Sequence, residues 1–121
     1  MAGNGATGGG DAGGPLRGVR VLDLTAVVLG PYATQTLGDW GAEVIKVEPP
    51  AGDLVRASGV AKHRGMASVF LGVNRNKRSL CLDLKTPGGA GVLRRLVPRV
   101  DALVTNVRPA GMARLGFGWE A

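Results

Sequence analysis

Arg108 and Arg114 follow a short apolar run, Ala102-Leu103-Val104-Thr105-Asn106, that has the make-up of a strand. Cations just past the carboxyl end of a strand sit where open α/β sheets collect ligands, and guanidinium groups there suit a phosphate or another anion. Arg75, Lys77 and Arg78 form a second cationic group beside another strand, which either faces phosphate or is plain solvated surface. Asp23 lies at the end of the first strand with no second carboxylate or histidine in sequence reach. It reads as a hydrogen-bonding residue that shapes the next loop rather than as a catalyst. His63, between Lys62 and Arg64 in a weakly patterned stretch, reads as an exposed histidine. Cys81 alternates with leucines and has no paired base, which predicts a buried, inert thiol. No spacing fits a metal site, and no G-x-G-x-x-G follows the first strand, which argues against an NAD domain.

The formal net charge is +6, and twelve of the fifteen lysines and arginines fall between Arg56 and Arg114. Such a field favours anionic partners, either nucleic acid or small phosphorylated molecules. Aromatic residues are only 4% of the chain and are not interleaved with the cations, so base-stacking platforms for single strands are unsupported. The 121 residues have room for one domain at most. Residues 1–18 contain eight glycines and few large apolar groups, the composition of a disordered leader; they lack the basic start and apolar core of a signal peptide. No apolar run is long enough for a membrane span, and one cysteine excludes an internal disulfide, so the cytoplasm is the expected compartment.

These side chains need a scaffold, and residues 19–48 supply a strand, a loop, a helix and a second strand. Val19, Val21, Leu22 and Leu24 make an apolar run of the kind buried on both faces of a parallel sheet. Pro31 suits the first turn of a helix over about 31–40, Ala33, Leu37 and Trp40 recur at helical spacing, and Gly41 suits a left-handed C-cap. Strands are expected near 19–24, 43–47, 79–84 and 101–105, the third from the alternation of Leu80, Leu82 and Leu84. Thr86 and Pro87 have the residue types of an N-cap and a first helical position. Residues 54–73 form a long loop with a helical piece around Ser68–Val73, and a further helical turn is expected over Met112–Leu115. The fold class is therefore α/β, a partial Rossmann-like parallel sheet over residues 19–121. Two convincing helices are few for such a sheet, and Gly118-Trp119-Glu120-Ala121 has the look of another helix opening. The expectation is part of a larger domain.

Three motifs now stand in order: L-D-L-T-x-x-x-x-G-P-Y-A-T with G-A-E-V-I-K-V-E-P-P-x-G-D (residues 22–53), N-R-N-K-R-S-L-x-L-D-L-K-T-P-x-G (74–89) and N-V-R-P-x-x-x-x-R-L-G-F (106–117). Together they resemble the N-terminal part of the family III CoA-transferases, a group that includes formyl-CoA and carnitine CoA-transferases and α-methylacyl-CoA racemases. The resemblance covers residues 16–121. It implies a longer enzyme with a Rossmann-like large domain and a smaller one, working as a homodimer of interlocked chains. It also implies catalysis by an aspartate that attacks the acyl-CoA thioester, with that aspartate downstream of this segment, so no catalytic residue is assigned here. The substrates implied are acyl-CoA and a small carboxylic acid, with no permanently bound cofactor, no metal, no nucleic acid and no membrane.

Positions matching the family's CoA contacts are Val28 and Leu29 in the first loop, Leu82 to Lys85 after the third strand, Asn106, Val107 and Arg108 after the fourth, and Arg114. Lys85, Arg108 and Arg114 are the implied phosphate cations, and Asn106 with backbone groups at Val28 and Leu29 would orient the adenine or the pantetheine arm. Ala26 and Val28 stand where formyl-CoA transferases carry His and Gln, which points away from oxalate or formyl-CoA. Pro49 stands where they carry an Arg, which removes one phosphate contact. The long 54–73 segment favours a transferase over a racemase. The other readings are a non-catalytic CoA- or nucleotide-binding module and a basic nucleic-acid-associated protein.

Overall fold

A computed structural model describes residues 13–121. Strands β1 (Arg20–Leu24), β2 (Glu43–Glu48), β3 (Lys77–Cys81) and β4 (Ala102–Thr105) form a parallel sheet in the order β3-β2-β1-β4. Leu22 pairs with Ile45 on one side and with Leu103 on the other. The chain builds from β1 through β2 to β3 and then crosses back to the far side of β1. That reversal puts a topological switch point between β1 and β4, and ligands of open α/β sheets bind outside the carboxyl ends of such strands.

Both faces carry apolar residues. On one, Leu22, Leu24 and Val47 pack with Leu93 of α3 (Pro87–Leu96) and Met112 of α4 (Pro109–Arg114). On the other, Val21, Ala42 and Val44 pack with Leu37 of α1 (Leu29–Asp39) and with Leu16. Thr86 caps α3 through a bond from the Gly89 amide at 3.1 Å, with Pro87 in the first turn. Helix α2 spans Ser68–Val73, as the pattern predicts, and buries Phe70 beneath the Arg56 guanidinium, 3.8 Å from the ring centroid. No helix among the described residues is long and apolar enough to cross a membrane.

Three expectations are corrected. The third strand is Lys77–Cys81 rather than 79–84, because Asp83 turns the chain: its side chain accepts the Lys85 amide at 3.0 Å and its carbonyl accepts Thr86 at 3.1 Å. Leu80, Leu82 and Leu84 still pack against one core. Cys81 is exposed rather than buried, since β3 is an edge strand whose face opposite Leu80 is open there. Finally, Ala33 and Trp40 of the expected apolar stripe face solvent, and α1 buries Pro31, Thr34, Gln35 and Gly38 instead. The sheet edge beneath α1 carries a buried charge, which selects polar partners. Gly38 lets the helix approach the Asn76 carbonyl, which a Cβ would meet at 3.2 Å.

Of the leader expected over residues 1–18, residues 1–12 lie outside the described part. Residues 13–18 form a turn tied to the end of α1 by the Leu16 amide and the Trp40 carbonyl at 2.9 Å.

Candidate functional site

A cavity of about 440 Å³ opens at the carboxyl ends of the strands. Its walls are mainly Leu24, Val47, Leu82, Leu84, Met112 and Leu115, with Asp53 and the loop after β1 along one side. Beside it, between α3 and α4, runs a cleft of about 680 Å³ whose charged residues are Lys85, Arg94 and Arg114, with no carboxylate in its lining. Leu84, Lys85, Val107 and Leu115 border both spaces. None of the three cations is in an ion pair among the described residues. Arg94 is braced over the Phe117 ring, 5.2 Å from its centroid. An apolar pocket continuous with a purely cationic groove suits a ligand that is neutral at one end and polyanionic at the other.

The loop between β1 and α1 is fixed from three directions. From β1, Asp23 accepts the Thr25 amide at 2.9 Å and the Thr34 hydroxyl at 2.7 Å, and it pairs with Lys77 Nζ at 2.9 Å. Past β4, the Asn106 carboxamide accepts the Ala26 amide at 3.1 Å and donates to the Ala26 carbonyl at 2.9 Å, stapling the two loops across the switch point. Past β2, Asp53 accepts the Val27 amide at 3.1 and 3.2 Å, while Lys46 bridges Asp53 at 2.9 Å and the Thr25 carbonyl at 3.0 Å. Glu48 closes the set by accepting the Asp53 amide at 2.8 Å and both ends of the Arg56 guanidinium at 2.7 Å.

Burial works to raise the pKa of Asp53, but Lys46 and the Val55 and Val27 amides outweigh it and hold the carboxyl below the usual range. Hydrogen bonds from Arg56 hold Glu48 down against its own desolvation. Burial pulls Lys77 below the ordinary lysine value, and Asp23 opposes that pull.

The expected site residues separate. Leu82, Lys85 and Val107 line the cavity, and Lys85, Val107 and Arg114 line the cleft. Asn106 spends its amide on Ala26. Arg108 is exposed at the N-cap of α4 and lines neither space, and Val28 and Leu29 are likewise exposed and line neither. Of the second cationic group, Arg75 pairs with Asp39 and Arg78 with Glu43, both at 2.7 Å on the surface, and Lys77 is buried on Asp23. His63 is exposed. Among the described residues no cluster of His, Cys, Asp or Glu is arranged for a metal.

Arg94, Asp53 and Lys46 were not singled out from the sequence. A lysine inside the apolar run Val44-Ile45-Lys46-Val47 is the available signal, because a charge in a doubly covered strand requires a buried partner. Arg94 has no comparable signal: only the placement of α3 against α4 turns it to the cleft.

A parallel α/β sheet with an apolar pocket and a cationic cleft at its carboxyl edge is the arrangement in which open α/β sheets bind ligands, and the sequence identifies the family. The chain belongs to CoA-transferase family III, whose family model matches residues 16–121. It is 47% identical over 107 residues to the succinyl-CoA–D-citramalate CoA-transferase of Chloroflexus aurantiacus, covering 88% of this chain and 27% of that relative. It is 44% identical over 106 residues to the formyl-CoA:oxalate CoA-transferase of Afipia carboxidovorans, covering 87% and 25%. The crystal structure of a CAIB/BAIF family protein from Brucella suis superposes with a TM-score of 0.83 at 38% identity, covering 89% of this chain and 30% of that one. The chain thus spans about a quarter of the length of these curated relatives.

Proposed function

We propose that this chain forms the CoA-contacting N-terminal part of an enzyme that moves CoA between an acyl-CoA and a small carboxylic acid. The observation that carries the reading is the apolar cavity running into a cleft lined by Lys85, Arg94 and Arg114 without a carboxylate. CoA divides in the same way, into a largely uncharged pantetheine arm and a nucleotide bearing a pyrophosphate and a 3′-phosphate. In this reading the cleft holds the phosphates and the cavity the arm, and the acyl-accepting aspartate belongs to a later part of the enzyme. The homodimer implied by the resemblance belongs to the same proposal, supported by Leu29, Tyr32 and Trp40, which leave an exposed apolar strip along α1.

Calorimetric titration of the purified chain with CoA, dephospho-CoA and pantetheine tests this. CoA should bind tightest, dephospho-CoA should lose affinity, and pantetheine should bind weakest with little dependence on salt. Equal affinity for CoA and pantetheine, or preferential retention on DNA over immobilised CoA at two salt concentrations, would overturn the reading. Mixing the chain with acyl-CoA and a free carboxylate should give no acyl exchange.

A further inference from the structure

Val27 carries a positive φ of 75°. A β-branched residue pays a steric penalty in that region, and it stays there only when its surroundings over-determine it. What holds it is visible. The Asp53 carboxylate accepts the Val27 amide with both oxygens and is itself fixed by Lys46 Nζ at 2.9 Å and by the Val55 amide at 3.2 Å. Lys46 and Asp53 are an ion pair sealed from solvent, with side chains 2% and 1% exposed. A sealed pair is costly to assemble and strongly destabilising to break. A neutral amide would offer one acceptor oxygen to Lys46, Val55 and Val27, where the carboxylate offers two.

We propose that Asp53 is a positioning residue for coenzyme binding: anchored by Lys46, it holds Val27 in the left-handed conformation and so sets the path of the loop that borders the cavity at Thr25–Ala26 and leads into α1. The effect on ligand rests on the reading of the site as a CoA site, whereas the clamp itself does not. Asn106 is the second arm of the device, since it fixes Ala26 from the opposite side of the switch point. With Ala26 and Val27 both held, the loop is pre-formed before ligand arrives, and binding does not have to supply the cost of ordering it.

Two measurements on the whole chain separate the clamp from the coenzyme reading. Amide hydrogen exchange, read residue by residue, should show Val27 protected. Asp53→Asn should speed its exchange about tenfold or more while the buried β2 amide of Val44 keeps its protection. If Asp53→Asn unfolds the chain, Lys46→Met combined with Asp53→Leu removes the ion pair together, leaves no stranded ammonium and offers Val27 no acceptor. Unchanged Val27 exchange in a folded variant overturns the clamp. Titration with CoA then gives a double-mutant cycle. Asp53→Asn should weaken binding about tenfold in the Val27 chain and clearly less in a Val27→Gly chain, because glycine adopts positive φ without strain. An equal loss in both backgrounds means that Asp53 does not act through Val27, and the positioning role falls. No CoA binding by the unsubstituted chain, with Val27 still protected, overturns the coenzyme reading and its positioning role while leaving the clamp.

Discussion

Arg114, Arg94 and Lys85 come from two helices and a turn, yet they face one cleft with no acidic neighbour in its walls. Replacing any one with alanine should remove a charge-assisted hydrogen bond to phosphate and cost about 1.5–3 kcal/mol, roughly one to two decades in CoA affinity. The loss should nearly vanish for pantetheine, which has no phosphate to touch. Arg75→Ala is the control, since its guanidinium is spent on Asp39 at the surface. Calorimetry with both ligands checks the set, and a comparable loss for pantetheine would refute the phosphate assignment. At this scale the sequence was partly legible. Cations after strand ends were visible as a pattern, so Lys85 and Arg114 stood out. Arg108 fits the same pattern but projects from the N-cap of α4 outside both spaces. Local spacing places a residue near a strand end; the angle of the following helix decides where it points.

Among the elements, α1 shows how tertiary demand overrides local pattern. Its buried face is Pro31, Thr34, Gln35 and Gly38, and the Thr34 hydroxyl donates to Asp23 at 2.7 Å inside the core. Thr34→Val keeps the shape and removes the donor. It should destabilise the chain by about 1–3 kcal/mol, because Asp23 would lose a partner without regaining water. Urea unfolding with an unchanged slope would register that loss as a shifted midpoint. No shift would mean that Lys77 and Thr25 suffice for Asp23. Strands β1, β2 and β4 and the α3 cap were readable because apolar runs, Gly-Pro breaks and a Thr-Pro start act locally, whereas the expected third strand ran past Cys81 into the Asp83 turn. The polar face of α1 was not readable, because Asp23, Asn76 and Arg75, which select it, come from other parts of the chain.

Across the whole molecule, the two halves of the sheet edge are tied together by carboxylates rather than by apolar contact alone, and this makes stability depend on acid. Asp53 is held below its ordinary 3.8 and Glu48 below its ordinary 4.5. A carboxyl whose pKa is depressed by folding contributes stability that is fully present above the unfolded value. That contribution is lost as the pH falls through the lower folded value, because the unfolded chain then binds more protons. Unfolding free energy should therefore hold steady on the acid side of neutrality and fall steeply once the pH drops below about 4. Lys77 acts with the opposite charge but the same slope: its lowered pKa means that the unfolded chain takes up a proton more readily, so stability rises with pH on approaching 10.5. Glu48→Gln should shrink the acid loss, since glutamine does not titrate and Arg56, partly exposed, can find water. Chemical denaturation at a series of pH values checks both limbs. A stability that stays flat on acidification from about pH 7 to about pH 3 would show that these carboxylates are no more ionised in the folded chain than in the unfolded one.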